Sequence, residues 1–180
     1  MILEKYSASW VTDFANIKLA LQKAILPTIP YTIEHIGSTA VPNLAAKPII
    51  DVDIIYTINT DFDKIKLGLL QIGYYHNGNQ GIENREVFKR DGKHNNSVLD
   101  AVPHHLYVCP IGCKALERHL LFRNFLVKNQ WAMLQYQQMK YELAIKANQD
   151  KKLYAYLKEM HTNKFIDLII EKEKSINTYM

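Results

Sequence analysis

The sequence lacks the features that mark secreted, zinc-binding and membrane-spanning proteins. Its 180 residues include only two cysteines, Cys109 and Cys113, which are too few for a disulfide framework and a poor zinc site by themselves. We therefore expect buried or half-buried free thiols. No continuous apolar stretch approaches the roughly 18 residues of a membrane-spanning helix. Residues 1–5 lack the basic and apolar regions of a signal peptide, so we expect a cytoplasmic protein.

Internal repeats, low-complexity tracts and flexible linkers are also missing, which predicts one domain over residues 1–180. Hydrophobic residues make up 48% of the chain and charged residues 22%, as in ordinary globular proteins. The net charge of +4 is compatible with an anionic ligand but too small to indicate nucleic-acid binding. The one short basic loop, residues 89–93, has no aromatic residues on which bases could stack.

Hydrophobic periodicity divides the chain into a sheet-containing part, about residues 1–112, and a helical part, about residues 113–180. The first predicted helix runs from Trp10 to Ala24, and a later one begins with Asp61 as its cap and stops at Gly73. The predicted strands are 32–36, 49–56, 86–89 and 105–109, and the other predicted helices are 115–128, 131–148 and 150–173. This order predicts an α/β or α+β fold, with a mixed sheet flanked by helices rather than a helix bundle.

Two carboxylates interrupt the most strand-like run of the chain, residues 49–56. Because side chains alternate between the faces of a strand, Asp51 and Asp53 point to the same side. Two ionised carboxylates repel each other and are costly to desolvate, so they fit a water-exposed strand end or a divalent cation site. Mg²⁺ suits such a pair, since it binds through one or two carboxylates together with substrate phosphates. Taken alone, the pair favours the surface interpretation.

The turn that precedes this strand changes the interpretation. Gly37, Ser38 and Thr39 directly follow a predicted strand. A glycine lets the backbone approach a phosphate closely, and the hydroxyls and backbone N–H groups can donate hydrogen bonds to it. A strand that ends in Gly-Ser, followed by a strand with Asp-x-Asp, combines two features. The turn supplies hydrogen-bond donors for a phosphate, and the aspartates supply a site for the metal ion that accompanies it.

A long run around these two elements resembles the signature of the GrpB family. The run reads Glu34-His35-Ile36-Gly37-Ser38-Thr39-Ala40-Val41-Pro42 and continues as Leu44-Ala45-Ala46-Lys47-Pro48-Ile49-Ile50-Asp51-Val52-Asp53. Agreement extends through Arg85-Glu86-Val87-Phe88-Lys89, His105-Leu106-Tyr107-Val108 and Leu121-Phe122-Arg123-Asn124-Phe125-Leu126 to Tyr136, Lys140 and Leu143-Ala144. The resemblance covers roughly residues 6–147 and implies a nucleotidyltransferase-like fold.

That fold usually needs a third carboxylate, from a neighbouring strand, to hold two metal ions during catalysis. The matching strand here, residues 105–109, carries no Asp or Glu, and His105 or Tyr107 would occupy the expected place. Glu86 and Asp100 lie nearby in the sequence. Either the site holds one metal ion, or it binds a phosphate compound without transferring a nucleotide.

Cations on apolar helix faces are candidates for the other wall of the pocket. Arg123 and Lys140 each fall within an apolar stripe of a predicted helix, and His119 lies one turn before Arg123. We expect Arg123 and Lys140, with Arg85 and Lys47, to line a phosphate pocket opposite the aspartates. Snorkelling to solvent and ion pairs with Asp51 or Asp53 are the alternatives.

The remaining histidines give weaker signals. His35 is expected to pack against or orient the Gly-Ser turn, whereas His104 and His105 are neighbours on a strand and face opposite ways. Three others lie in polar surroundings and are expected at the surface: His76, His94 and His161.

The leading hypothesis is a magnesium-dependent transferase that moves a nucleotidyl group or another phosphate-bearing unit. Asp51 and Asp53 would be catalytic and bind Mg²⁺. The phosphate-binding residues would be Gly37, Ser38, Thr39, Lys47, Arg85, His105, Arg123 and Lys140. The alternative is a protein that keeps the fold and binds a nucleotide or CoA-type ligand without catalysis, since some members of the family are joined to dephospho-CoA kinase. The sequence leaves the acceptor, the nucleobase preference and the oligomeric state open.

Overall fold

A five-stranded mixed sheet organises the chain in this computed structural model, which describes residues 2–58 and 61–178. The strands are β1 (Tyr31–Ile36), β2 (Ile50–Tyr56), β3 (Tyr74–His76), β4 (Glu86–Arg90) and β5 (His104–Pro110). They lie in the order β1-β2-β5-β4-β3. Strands β2 and β5 are parallel, whereas the other neighbouring pairs are antiparallel. The predicted mixed sheet is thus confirmed.

Strand β2 lies between β1 and β5, and its apolar residues are covered on both faces of the sheet. Val52 and Ile54 are fully buried on one face. The register places Asp51 opposite His105 and Asp53 opposite Tyr107 on the other face. The polar residues of two neighbouring strands therefore form adjacent rows on a single side of the sheet.

Helices cover the two faces of the sheet. They are α1 (Ser9–Ala24), α2 (Asp61–Gln71), α3 (Lys114–Lys128), α4 (Gln130–Lys146) and α5 (Lys151–Thr178). Ile17, Leu21 and Ile65 bring α1 and α2 into the main hydrophobic core with Val52 and Ile54. Helices α3, α4 and α5 pack on one another on the side of the aspartates, around a second cluster that contains Phe125, Tyr136 and Ile169. None of the described helices is long and apolar enough to cross a membrane.

Most predicted elements are present, with ends shifted by a few residues. Strand β3 was not predicted, because three residues are too few to show an alternating pattern. Asp61, the predicted cap of α2, lies within the helix, and its carboxylate accepts a hydrogen bond from Lys64 at 3.0 Å. Cys109 and Cys113 are free and buried, as expected.

Candidate functional site

The turn after β1 passes directly over the first aspartate. Gly37 has φ of 73° and ψ of −169°, a backbone conformation that essentially only glycine adopts. A Cβ atom placed on Gly37 would lie 2.3 Å from Oδ2 of Asp51. Ser38 then opens a short 3-10 turn, Ser38–Ala40. The glycine is therefore needed both for the direction of the chain and for the close approach to Asp51.

Asp51 is half-buried and is oriented by the neighbouring strand. The Nδ1 atom of His105 donates a hydrogen bond to Asp51 Oδ1 at 2.8 Å. His105 itself is largely exposed, with 54% of its side-chain surface accessible. His104 faces the opposite way, where its Nε2 atom lies 2.5 Å from the Tyr74 hydroxyl. The prediction that His104 and His105 face opposite sides of their strand is confirmed.

Asp53 lies deeper than Asp51 and is fully buried. Nδ1 of His119, on α3, donates a hydrogen bond to Asp53 Oδ2 at 2.9 Å. The other oxygen, Oδ1, has no hydrogen-bond partner among the described residues. Burial raises the pKa of Asp53, and the hydrogen bond from His119 opposes that rise. Asp53 thus offers one unpaired oxygen on the same face as Asp51.

Each candidate third carboxylate is bound by another side chain. Glu86 lies 2.5 Å from Nε2 of His76, and Asp100 accepts a hydrogen bond from Arg90. Glu34 stands directly opposite Asp53 on β1, a position that sequence reasoning missed, but Arg123 binds its carboxylate. Among residues 2–58 and 61–178, no group of three or more His, Cys, Asp or Glu side chains is arranged to hold a metal ion.

A cavity of about 420 Å³ opens beside the Gly-Ser turn. Ser38, Thr39, Asp51 and His105 contribute to its wall. Three lysines also line it, and they come from different parts of the chain: Lys47 after the turn, Lys140 on α4 and Lys158 on α5. The cavity therefore combines a carboxylate and hydroxyls with a concentrated positive charge.

Lys140 is the most deeply buried of the three lysines, with 2% of its surface exposed. Its ammonium group donates hydrogen bonds to Ser38 Oγ, at 3.2 Å, and to the carbonyl oxygen of Ala45. Nζ also lies 4.9 Å from the centre of the Tyr136 ring. Burial and, to a smaller extent, the charge of Lys158 lower the pKa of Lys140 to about 7.

Lys47 is likewise held without a carboxylate from any described residue. Its Nζ atom donates to the carbonyl oxygen of Lys151 at 3.3 Å and lies 4.6 Å from the centre of the Tyr154 ring. Burial lowers the pKa of Lys47, and the nearby charges of Lys158 and Lys151 lower it further. The mutual repulsion of these cations would be relieved by an anion in the cavity.

Lys158 was not predicted, and it also lines a second, smaller cavity. That cavity measures about 210 Å³ and shares Ser38 and Asp51 with the first. Gly37, Arg118 and His119 contribute to it as well. Lys158 lies one helical turn after Tyr154, a spacing that a helical wheel of α5 could have revealed.

The structure does not bring the two predicted arginines to either cavity. The Arg85 guanidinium lies 5.0 Å from the centre of the Tyr107 ring, and its Nε atom is buried without a hydrogen-bond partner in the described part of the chain. Nη1 of Arg123 donates to Glu34 Oε2 at 2.7 Å and to the carbonyl oxygen of His35 at 2.8 Å. Arg123 therefore links α3 to β1. It neither extends to solvent nor pairs with an aspartate of β2, which were the two predicted alternatives.

Among the remaining histidines, the prediction for His35 is confirmed and the prediction for His76 is wrong. Nε2 of His35 lies 3.0 Å from Thr39 Oγ1, and its ring stacks on Phe14, so it does orient the turn. Burial lowers the pKa of His35 to about 4. The surface prediction for His76 was wrong, because its ring packs against Phe62 and Phe88 while Glu86 binds its Nε2 atom. His94 and His161 are exposed, as expected.

Replacing Arg123 with methionine is expected to lower the free energy of unfolding by about 1–3 kcal/mol, because Glu34 and the His35 carbonyl lose a charged donor. Urea unfolding would measure the change. Arg118→Met on the same helix is the control, since the exposed Arg118–Asp167 pair should contribute less than about 1 kcal/mol. Equal effects in the two variants would contradict an anchoring role for Arg123.

Comparisons with known proteins relate nearly the whole chain to one protein family. A sequence model of the GrpB protein family matches residues 1–172. The UPF0157 protein YqkA of Bacillus subtilis is 34% identical over 143 residues, which are 77% of this chain but 38% of YqkA. The glutamate-rich protein GrpB of Alkalihalophilus pseudofirmus is 29% identical over 173 residues, 96% of this chain and 95% of that protein. The chain thus spans under half the length of YqkA and nearly all of the second relative.

Solved structures extend the comparison to the fold. The crystal structure of the conserved protein GrpB from Enterococcus faecalis matches with a TM-score of 0.75 and 30% identity over 96% of each chain. The Cid1 poly(U) polymerase bound to MgATP matches with a TM-score of 0.56 and 12% identity, over 85% of this chain and 50% of Cid1. At that identity the likeness concerns the fold alone, and it confirms the expected nucleotidyltransferase-like architecture.

Proposed function

Because this chain belongs to the GrpB family and has a nucleotidyltransferase-like fold, we propose that it binds a nucleotide or another phosphate-bearing small molecule together with Mg²⁺ and transfers a phosphate-bearing unit from it. One observation carries the proposal: Ser38 and Asp51 share the wall of one cavity with Lys47, Lys140 and Lys158. A phosphate chain matches this arrangement, since it needs hydrogen-bond donors, cations and a metal site close together.

The residues on the sheet fit Mg²⁺ by their donor chemistry. Asp53 Oδ1 is buried and finds no partner in residues 2–58 and 61–178, and Asp51 lies on the same face of β2 at the cavity. Oxygen ligands of this kind are those that Mg²⁺ prefers. When bound, the ion would neutralise the two carboxylates and the phosphate oxygens near them. His105 and His119 would keep Asp51 and Asp53 in their orientations through the hydrogen bonds described above.

The phosphate would be held from the side of the turn and from the helices. The Gly37 conformation brings the backbone close to the site, and Ser38 keeps its own O–H to donate while its oxygen accepts from Lys140. Lys47 and Lys158 would supply further positive charge along the chain of phosphates. Thr39 lines the same cavity and is fixed by His35.

A second candidate function is ligand binding without transfer. Glu34, the carboxylate opposite Asp53, is neutralised by Arg123, and β5 offers His105 and Tyr107 in its place. A two-metal transferase site uses additional carboxylates, so this arrangement favours a protein that recognises a nucleotide or CoA-type ligand and leaves it intact.

A thermal-shift panel of ATP, other nucleotides and CoA, with and without Mg²⁺, would test the proposal. At a ligand concentration of 100 times the dissociation constant, binding adds about 2.7 kcal/mol, which for a chain of this size raises the melting temperature by roughly 5–10 °C. We expect the Mg²⁺-dependent part of this shift to disappear in Asp51→Asn, which keeps the shape of the side chain but loses its charge.

Asp63→Asn is the matched control, since Asp63 is an exposed carboxylate on α2, and it should leave the shift unchanged. Release of pyrophosphate or of a transferred group from the stabilising nucleotide would separate transfer from binding. Stabilisation that is independent of Mg²⁺ and unaffected in Asp51→Asn would favour the second candidate. No stabilisation by any member of the panel would overturn both.

A further inference from the structure

Lys140 has surroundings that a phosphate-binding role does not require. Its side chain is almost completely buried on α4, and none of the ion pairs between described residues includes it. Instead, Nζ donates to a serine hydroxyl and a backbone carbonyl beside the face of the Tyr136 ring. An ammonium group without a carboxylate in such a place is poorly solvated, which favours the neutral amine.

The charge of a neighbouring lysine reinforces this effect. Lys158, on α5, lowers the pKa of Lys140 by its charge, in addition to the larger effect of burial. Lys47 and Asp51 line the same cavity from the segment after the turn and from β2. A lysine that is desolvated next to another cation is a known arrangement for an activated amine nucleophile.

The cavity gives this amine room to react. Its volume of about 420 Å³ is large enough for a small phosphorylated molecule. Leu3, Ile49 and Tyr154 supply an apolar part of the wall, and Lys47 and Lys158 supply charge that can hold an anionic group. The nucleophile, an anion-binding pair and an apolar surface thus surround one space.

We propose that Lys140 is a nucleophilic lysine that forms a reversible imine with a phosphorylated aldehyde held by Lys47 and Lys158. The neutral Nζ atom attacks the carbonyl carbon, and one of its two hydrogens passes as a proton to the carbonyl oxygen, which gives a neutral carbinolamine. Loss of the nitrogen-bound hydrogen and of the hydroxyl as one water molecule then gives the C=N bond. The Ser38 hydroxyl, within 3.2 Å of Nζ, is placed to donate to the oxygen during these steps. This activity uses the cavity of the proposed function but needs neither Mg²⁺ nor nucleotidyl transfer.

Pyridoxal 5′-phosphate is a suitable probe, because it combines an aldehyde with one phosphate. The whole protein would be incubated with it near pH 7 and treated with borohydride, which reduces the imine to a stable secondary amine. Peptide mass mapping would then locate the label. We expect Lys140 to be labelled at least about tenfold faster than the exposed lysines, because a desolvated amine beside another cation is the more reactive nucleophile.

Three comparisons make the test specific. Lys140→Arg keeps a positive charge but cannot form the imine, and it should lose the label, whereas Lys146→Met, an exposed lysine on the same helix, should keep it. Pyridoxal, which lacks the phosphate, should label Lys140 more slowly than pyridoxal 5′-phosphate does. In Lys158→Met the difference between these two labelling rates should be smaller than in the wild type.

Labelling confined to surface lysines of the folded wild-type protein would overturn the proposal, even if every variant failed to fold. Equal rates with pyridoxal and pyridoxal 5′-phosphate would overturn the role of the phosphate. Neither result would affect the nucleotide panel, since the two experiments use different ligands and only one depends on Mg²⁺.

Discussion

Replacing Gly37 with alanine is expected to lower the free energy of unfolding by roughly 2–4 kcal/mol and to remove Mg²⁺-dependent ligand stabilisation. Two causes act together. The backbone of Gly37, with φ of 73° and ψ of −169°, is strained for any residue that has a Cβ atom. The new methyl group would also lie 2.3 Å from Asp51 Oδ2, so the carboxylate would have to move away from the turn.

Two further variants separate the causes. Gly78→Ala also places a Cβ at positive φ, 67°, but with no atom within 4 Å, so it reports on backbone strain away from the site. In an Asp51→Ala background, Gly37→Ala loses its contact with the carboxylate and should cost less than in the wild type. Urea unfolding of the four proteins of this cycle gives the interaction energy. Full additivity of the two substitutions would contradict a close contact between Gly37 and Asp51.

The placements that the structure confirms are those whose signal in the sequence is local. Gly37-Ser38 and Asp51-x-Asp53 lie within one short segment, and strand alternation by itself places both aspartates on one face. The separation of His104 from His105 follows from the same rule. Such patterns depend on neighbouring residues and remain visible without knowledge of the tertiary structure.

The features that were missed depend on contacts between distant segments. Arg123 was predicted to face a phosphate, but Glu34 and the His35 carbonyl, almost 90 positions earlier in the chain, bind it instead. His76 looked like a surface residue because its aromatic neighbours come from α2 and β4. Lys158 reaches the cavity only because α5 packs beside α3 and α4. The identity of a polar residue in the sequence therefore does not predict its surroundings, because these depend on residues from distant segments.

Lys140→Met should change how the stability of the protein depends on pH. In the unfolded chain the pKa of Lys140 has its ordinary value of 10.5, whereas in the folded protein it is about 7. Between these two values the unfolded state binds more protons at this site, so the free energy of unfolding rises with pH. The slope from this one group approaches about 1.4 kcal/mol per pH unit. Below pH 7 both states carry the charge, and the contribution no longer changes.

Urea unfolding between pH 6 and pH 9 would measure the effect as a difference between variants, so that other titrating groups cancel. Relative to Lys140→Met, the wild type should gain about 2–3 kcal/mol over this range. Lys146→Met, on the exposed face of the same helix, should keep the pH dependence of the wild type. Loss of the donor to the Ala45 carbonyl costs roughly 1–3 kcal/mol at every pH, which shifts the curve of Lys140→Met without changing its slope.

The same measurement bears on both roles assigned to this lysine. If the curves of the wild type and Lys140→Met run parallel from pH 6 to pH 9, Lys140 keeps its proton in the folded protein, and the amine needed for an imine is not formed. If they diverge as expected, a bound polyphosphate should abolish the divergence, because its negative charge replaces the missing carboxylate and restores the ammonium form. Ligand binding near pH 8 would then take up a proton, which isothermal titration in buffers of different ionisation enthalpy can detect. A lysine with no carboxylate partner among the described residues can thus serve as the cation for a phosphate and as the nucleophile for an aldehyde, and the bound ligand determines its charge.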